Sequence, residues 1–188
     1  LDPRVGQSAA EFLETASYES LVRAVREYGE EKRWRRVVEA IIQARGTGLL
    51  SRTMSAAELV SNAVGGRNFR QRIHPATKTF QGIRIAINGE LEALAVTLPK
   101  AFQALKEGGV LAVISFHSLE DRIVKRFMRK MAGRPESKYD GRAQQDRVVY
   151  AKLNGSKAIF PGKEEVENNP RSRSARLRFL TKLKQPEL

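Results

Sequence analysis

The 188-residue chain contains no cysteine. That absence excludes a disulfide framework, a thiolate zinc site and a cysteine nucleophile. Histidine is nearly as scarce, with only His74 and His117, so a multi-histidine metal centre is not expected and no metal ligand set is assigned. Long apolar runs are missing too. The longest is Val110 to Ile114, reaching Phe116 across Ser115, far short of the roughly 20 residues a membrane helix needs, so no membrane partner is expected. The first residues, from Leu1 to Arg4, show neither the basic region nor the apolar stretch of a secretory signal. The first residue is Leu rather than Met, which suggests a processed chain or a larger protein that has lost its beginning.

Positive charge is abundant. There are 34 Lys and Arg against 21 Asp and Glu, a net charge of +13 and a pI near 10.4. A polyanionic partner follows, RNA or DNA before an anionic membrane. The excess is uneven: residues 120–188 hold 18 basic against 9 acidic residues, and residues 1–119 hold 16 against 12. Apolar residues make up 41% of the chain, enough for a core.

To about residue 72 the periodicity is helical throughout. Ser8 with Glu11, and Ser55 with Glu58, have the spacing of capping boxes. Leu21, Val22, Val25 and Tyr28 form one apolar stripe ending at Gly29; Trp34, Val37, Val38, Ile41 and Ile42 form a second ending at Gly46, with Trp34 expected in the core. A long helix is predicted from His74-Pro75, with Phe80, Ile83, Ile87, Leu91, Leu94 and Leu98 on one face and a kink at Pro99. Beside that face runs a polar stripe of Thr77, Gln81, Arg84 and Asn88, hydrogen-bonding residues suited to a cleft or junction. Gly82 and Gly89 are read as sites of tight helix–sheet packing.

Val110 to Phe116 reads as a central strand buried on both faces of a parallel sheet. Ser118 is expected to cap the helix that follows, with Glu120 and Asp121 meeting its positive end. A strand over 148–153, a helical turn over 161–167 and a strand over 175–183 complete the chain. In the last strand Leu177 and Phe179 are expected to face the core, and Arg176 and Arg178 the outside.

Three segments carry a resemblance. They are His74-Pro75-Ala76-Thr77-Lys78-Thr79-Phe80-Gln81 with Ile87-Asn88-Gly89-Glu90-Leu91; Ser115-Phe116-His117-Ser118-Leu119-Glu120-Asp121-Arg122 with Ile123-Val124-Lys125-Arg126; and Asn169-Pro170-Arg171-Ser172-Arg173-Ser174-Ala175-Arg176-Leu177-Arg178. With Tyr28-Gly29-Glu30-Glu31 they closely resemble the bacterial and organellar rRNA cytosine-N(4) methyltransferases, the MraW/RsmH family, in order along almost the whole chain. The resemblance implies an α/β fold: part of a class I, Rossmann-like methyltransferase sheet with an all-α insertion, residues 1–72 being the insertion and 73–188 the C-terminal part. It implies S-adenosyl-L-methionine (AdoMet) as methyl donor and a decoding-centre cytidine of small-subunit rRNA as substrate, within the rRNA or the small ribosomal subunit. Bacterial cytoplasm is the expected location, a mitochondrion or plastid the alternative.

The family's Gly-rich loop after its first strand has no match. Gly46, Gly48, Gly65 and Gly66 follow helices, and Gly108-Gly109 precedes a strand. The cofactor-binding half and the catalytic residues are therefore expected outside this chain, in a missing segment or a separate chain, and the chain alone is expected to be inactive and not to bind AdoMet. Phe116, His117 and Ser118, past the end of a strand, are candidates for one wall of the pocket. Arg171, Arg173, Arg176 and Arg178 are candidates for RNA phosphates. The rival reading is a non-catalytic RNA- or ribosome-binding protein derived from this fold; a generic basic DNA-binding module stands lower.

Overall fold

The computed structural model describes residues 6–66 and 73–185. The parts of the expected insertion at 1–5 and 67–72 lie outside the described residues. Two compact units divide the chain, Leu1–Glu90 and Leu91–Leu188. The division falls after the helix that carries the polar stripe, not at residue 72, because that helix shares the core of the preceding helices.

The first unit is built of helices with no strand among its described residues, as the periodicity predicts. Helix α1 (Ala9–Thr15) is capped by Ser8, whose hydroxyl accepts from the Glu11 N–H at 3.1 Å. Helix α2 (Tyr18–Val22) runs into a π-helical turn, Arg23–Tyr28. Helix α3 (Trp34–Gln43) buries Val37, Val38 and Ile41. Trp34 is only half-buried at its edge, with the Arg26 and Arg35 guanidinium groups 5.2 and 4.6 Å from its ring. Helix α4 (Thr53–Ala63) opens two residues before the expected cap, so Ser55 lies inside its first turn. Leu13, Leu21, Val25, Val38, Leu50, Val60 and Ile83 belong to one core.

The expected long helix is two. Helix α5 (Thr77–Asn88) stops at Gly89, which adopts a left-handed φ of 56°, and α6 (Glu90–Ala104) begins at once and runs on past Pro99. Gly82 lets α5 meet the π-helical turn backbone to backbone. A Cβ there would lie 1.9 Å from the Ala24 carbonyl oxygen and 2.6 Å from the Gly29 nitrogen. The glycine serves helix–helix contact, not the expected helix–sheet contact.

The second unit holds a three-stranded sheet in the order β1-β3-β2, with β1 Val110–Ser115, β2 Ala151–Leu153 and β3 Arg176–Lys182. Both pairings are antiparallel, with Ala112 opposite Phe179 and Lys152 opposite Thr181. Helices α7 (Ser118–Met131) and α8 (Lys163–Asn168) lie between the strands in sequence. The core gathers Leu98 and Phe102 of α6, Val124 and Met128 of α7, Ala151 and Leu180.

Two expectations are overturned here. Strand β1 is an edge strand among the described residues, and Val110, Ile114 and Phe116 stay more than half exposed while Leu111, Val113 and Ser115 face inward. The apolar run reports a strand with two faces suited to burial, but the described residues cover one of them. The faces of β3 are also reversed. Leu180 and Lys182 are fully buried, and Arg178 and Arg176 share their side of the strand. This face accepts cations because partners await them: the Lys182 ammonium donates to the carbonyls of Phe102, Gln103 and Leu105 at 2.9, 3.1 and 2.5 Å, closing the C-terminal end of α6.

Candidate functional site

The turn from β1 into α7 is held by one carboxylate. The Phe116 and His117 N–H groups donate to Glu120 Oε2 at 2.9 and 3.2 Å, and the Glu120 N–H donates to His117 Nδ1 at 3.3 Å. This is a capping box with histidine as its first member. His117, not Ser118, is the N-cap, because its backbone is still extended (φ −135°) while Ser118 is already helical. Nδ1 accepts, so a neutral imidazole carries its proton on Nε2. That nitrogen lies 3.2 Å from Glu120 Oε1 without forming a hydrogen bond. Burial pushes the Glu120 carboxyl up, but the nearby His117 side chain and the Phe116 and His117 amides outweigh it and hold it below its ordinary value.

Asp121, the next residue, is buried and faces β3. Arg178 grips it with two bonds, Nε to Oδ1 at 2.6 Å and Nη2 to Oδ2 at 3.1 Å, and Arg176 Nη1 adds a third at 3.1 Å. Burial again works against ionisation, and Arg178, then Arg176, overcome it, leaving the carboxyl below its ordinary value of 3.8. So two of the four candidate arginines close an internal clamp between α7 and β3. Arg176 also lies 5.8 Å from the Phe160 ring centroid. The other two arginines differ. Arg171 and Arg173 are exposed on a 3₁₀ turn, Pro170–Ser174, which Asn169 caps by accepting from the Arg171 N–H and which Ser172 anchors by donating to the Asn169 carbonyl at 2.8 Å.

The first unit has a cleft of about 590 Å³ between α1, α4 and α5. Its walls are apolar, from Leu13, Leu50, Phe80 and Ile83, with Arg84 and Asn88 at one side. Glu90 fixes both polar groups: Arg84 donates two bonds to it at 2.9 and 3.0 Å, and Asn88 one at 3.0 Å. The polar stripe thus divides. Arg84 and Asn88 line the cleft, and Thr77 and Gln81 do not. An apolar cleft with a few fixed polar groups suits a small organic ligand.

A cradle for AdoMet is a separate question. Such a cradle needs a glycine turn leading from a strand into an open helix N-terminus. Gly65 and Gly66 end α4, and Gly108 donates its N–H to the Lys182 carbonyl as the chain enters β1. At the β1–α7 turn the N-terminal amides are closed by His117 and Glu120, with two carboxylates beside them. These residues do not fit the methionine and ribose of AdoMet.

Lys182 and the Asp121 clamp escaped the sequence reading. One signal was available: Arg178, Leu180 and Lys182 share a strand parity, so a buried Leu180 carries its neighbours inward.

Residues 1–183 match the family described as the MraW methylase family. The relatives are named ribosomal RNA small subunit methyltransferase H. That of Nitrosococcus oceani is 49% identical over 183 residues, covering 97% of this chain and 58% of the relative. That of Acidithiobacillus ferrooxidans is 47% identical over 178 residues, covering 95% and 54%. That of Nitrosomonas eutropha is 43% identical over 194 residues, covering 97% and 59%. The chain therefore spans a little over half the length of these relatives.

Proposed function

The chain belongs to the MraW methylase family, and from that premise we propose that it is part of an enzyme that methylates the exocyclic amino nitrogen of a decoding-centre cytidine in small-subunit rRNA. The observation that carries the reading is the match across residues 1–183 to relatives named as small-subunit rRNA methyltransferases. AdoMet supplies the methyl group in this reading. Because the residues described here do not fit it, its main site and the catalytic residues are assigned to protein outside this chain, whether in the same polypeptide or another. Phe116, with its ring exposed beside the β1–α7 turn, and His117 and Ser118 form at most one wall of that pocket.

In fold terms, the three strands are one end of a larger Rossmann-like sheet, and the helical part is an insertion. The antiparallel β2–β3 pair supports this, since mostly parallel sheets often carry antiparallel strands at an edge. The exposed edge and outer face of β1 are where such a sheet would continue.

The chemistry asks for positioning. The cytosine amine lone pair is delocalised into the ring, so methylation would depend on how the base is held rather than on a strong base, and holding it is the part this chain's residues would play. In this proposal the stripe of Thr77, Gln81, Arg84 and Asn88 belongs to the substrate side, with Arg84 and Asn88 fixed by Glu90. Arg171 and Arg173 meet phosphates, and Arg176 and Arg178 hold that segment in place through Asp121. An enzyme acting on rRNA works where ribosomes are, the cytoplasm of a bacterium here.

The test uses the whole reading frame that contains this chain. Incubated with radiolabelled AdoMet and unmodified small-subunit rRNA, it should place label on N4-methylcytidine after digestion to nucleosides. RNA binding without methyl transfer would favour the non-catalytic reading, and label on another nucleoside would overturn the cytidine assignment.

A further inference from the structure

The second unit has a basic groove apart from the Arg171–Arg173 turn. It lies between α7 and the turn joining β2 to the following segment, and its cations are Lys125, Arg129, Arg134, Lys157 and Arg178. No carboxylate lines it. Arg178 is held by Asp121, and the Arg129 side chain donates to the Pro135 carbonyl, so two guanidinium groups are fixed in place. Lys125, Arg134 and Lys157 are exposed, and among the described residues their side chains have no hydrogen bond or ion pair. At Gly155, between β2 and Lys157, a Cβ would meet only the Lys157 carbonyl oxygen, at 3.8 Å, so a ligand has access to the backbone.

Helix α7 carries the same signal. Arg122, Lys125, Arg126, Arg129 and Lys130 repeat at spacings of three and four on the side away from Leu119, Val124 and Met128. Like charges at that spacing each cost a helix about 0.2–0.5 kcal/mol. Past its first turn α7 has no acid to offset them. The fold makes no use of the three unpaired cations, so their natural complement is an external polyanion.

The size of the groove selects the part of the polyanion. The groove is narrow: its cavity volume of about 30 Å³ has room for only a few water-sized groups, such as phosphate oxygens. A phosphate oxygen fits, flanked by diverging ammonium and guanidinium groups. A membrane surface fits poorly, because the apolar face of α7 is buried in the core and offers nothing to insert. We propose that Lys125, Arg134 and Lys157, ordered around Arg129 and Arg178, bind the phosphate backbone of RNA. This site rests on the RNA-substrate reading above and adds a contact surface to it. It positions RNA without reading its sequence.

The test compares the protein expressed from the whole reading frame that contains this chain with its triple variant Lys125→Gln, Arg134→Gln, Lys157→Gln. Anisotropy of a labelled single-stranded RNA of roughly 20 nucleotides gives the binding constant across a series of salt concentrations. The log–log salt slope should shrink by about 2, from roughly 0.7 per lost single-strand contact. The melting temperature should not fall, since these side chains have no partners in the fold. An unchanged slope and affinity overturns this site while leaving the RNA reading intact. Failure of the unmodified whole protein to bind RNA, or its preference for phosphatidylserine vesicles over RNA, overturns both.

Discussion

Replacing Asp121 by Asn keeps its shape and removes its charge, which isolates the clamp between α7 and β3. The carboxylate accepts three charge-assisted bonds, at 2.6, 3.1 and 3.1 Å. An amide keeps one acceptor and turns an NH₂ toward the guanidinium groups, so the two-bond grip of Arg178 cannot survive. Breaking one side of a buried pair costs about 3–5 kcal/mol. The Arg176 side chain is 35% exposed and can turn to water, so its share falls toward the roughly 0–1 kcal/mol of a surface pair. The expected loss is about 2–4 kcal/mol, seen as a melting temperature lower by roughly 4–16 °C for a chain of this length. A double-mutant cycle pairs Asp121→Asn with Arg178→Gln and then with Arg176→Gln. Coupling should exceed about 1.5 kcal/mol for Arg178 and stay below about 1 kcal/mol for Arg176. A variant within about 0.5 kcal/mol of the parent, or a cycle without coupling to Arg178, would refute the clamp.

Acid should weaken the fold through the same residue. The Asp121 and Glu120 carboxyls are both held below their ordinary values of 3.8 and 4.5, so their contribution is full above those values and is lost as pH falls through the depressed folded values. Denaturant melts between pH 6 and pH 2 should show that loss at the acid end, and Asp121→Asn should reduce it. Gly82→Ala separates two effects of opposite sign. Helix propensity favours alanine by about 1 kcal/mol, but a Cβ 1.9 Å from the Ala24 carbonyl oxygen forces α5 away from the π-helical turn. A net loss of about 2 kcal/mol or more is expected by urea unfolding, with Gly141→Ala, whose site is open, near neutral. Lys182→Met keeps much of the bulk and leaves three carbonyls of α6 without their donor, so a loss of about 2 kcal/mol is expected in the same assay.

Local signals in the sequence were reliable where one element decides its own form. The helices of the first unit follow their stripes, and Ser8 caps α1 as its spacing with Glu11 predicts. The start of α7 is right to within one residue, the cap passing from Ser118 to His117 because an imidazole nitrogen can accept where a hydroxyl was expected. Long-range pairing was not legible. Asp121 meets arginines more than fifty residues away, and nothing local tells a carboxylate that caps a helix from one that clamps a strand. Gly82 was marked as a close approach, but its partner, the Ala24–Gly29 backbone, lies far back in the chain. For β3, alternation gave the period without the phase. Leu177 and Phe179 looked like the inward face by hydropathy, and the reverse holds because Asp121 and the end of α6 satisfy the cations inside. Resemblance marked the candidate motifs without their geometry: Arg84 and Asn88 separate from Thr77 and Gln81 by which face of α5 lines the cleft.

The central claim is that the protein containing this chain methylates the amino nitrogen of a small-subunit rRNA cytidine. Nucleoside mass spectrometry of small-subunit rRNA, from cells with the gene, without it and with it restored, tests this most directly. An N4-methylcytidine species should disappear on deletion and return on complementation. An unchanged nucleoside profile in the deletion strain would contradict it.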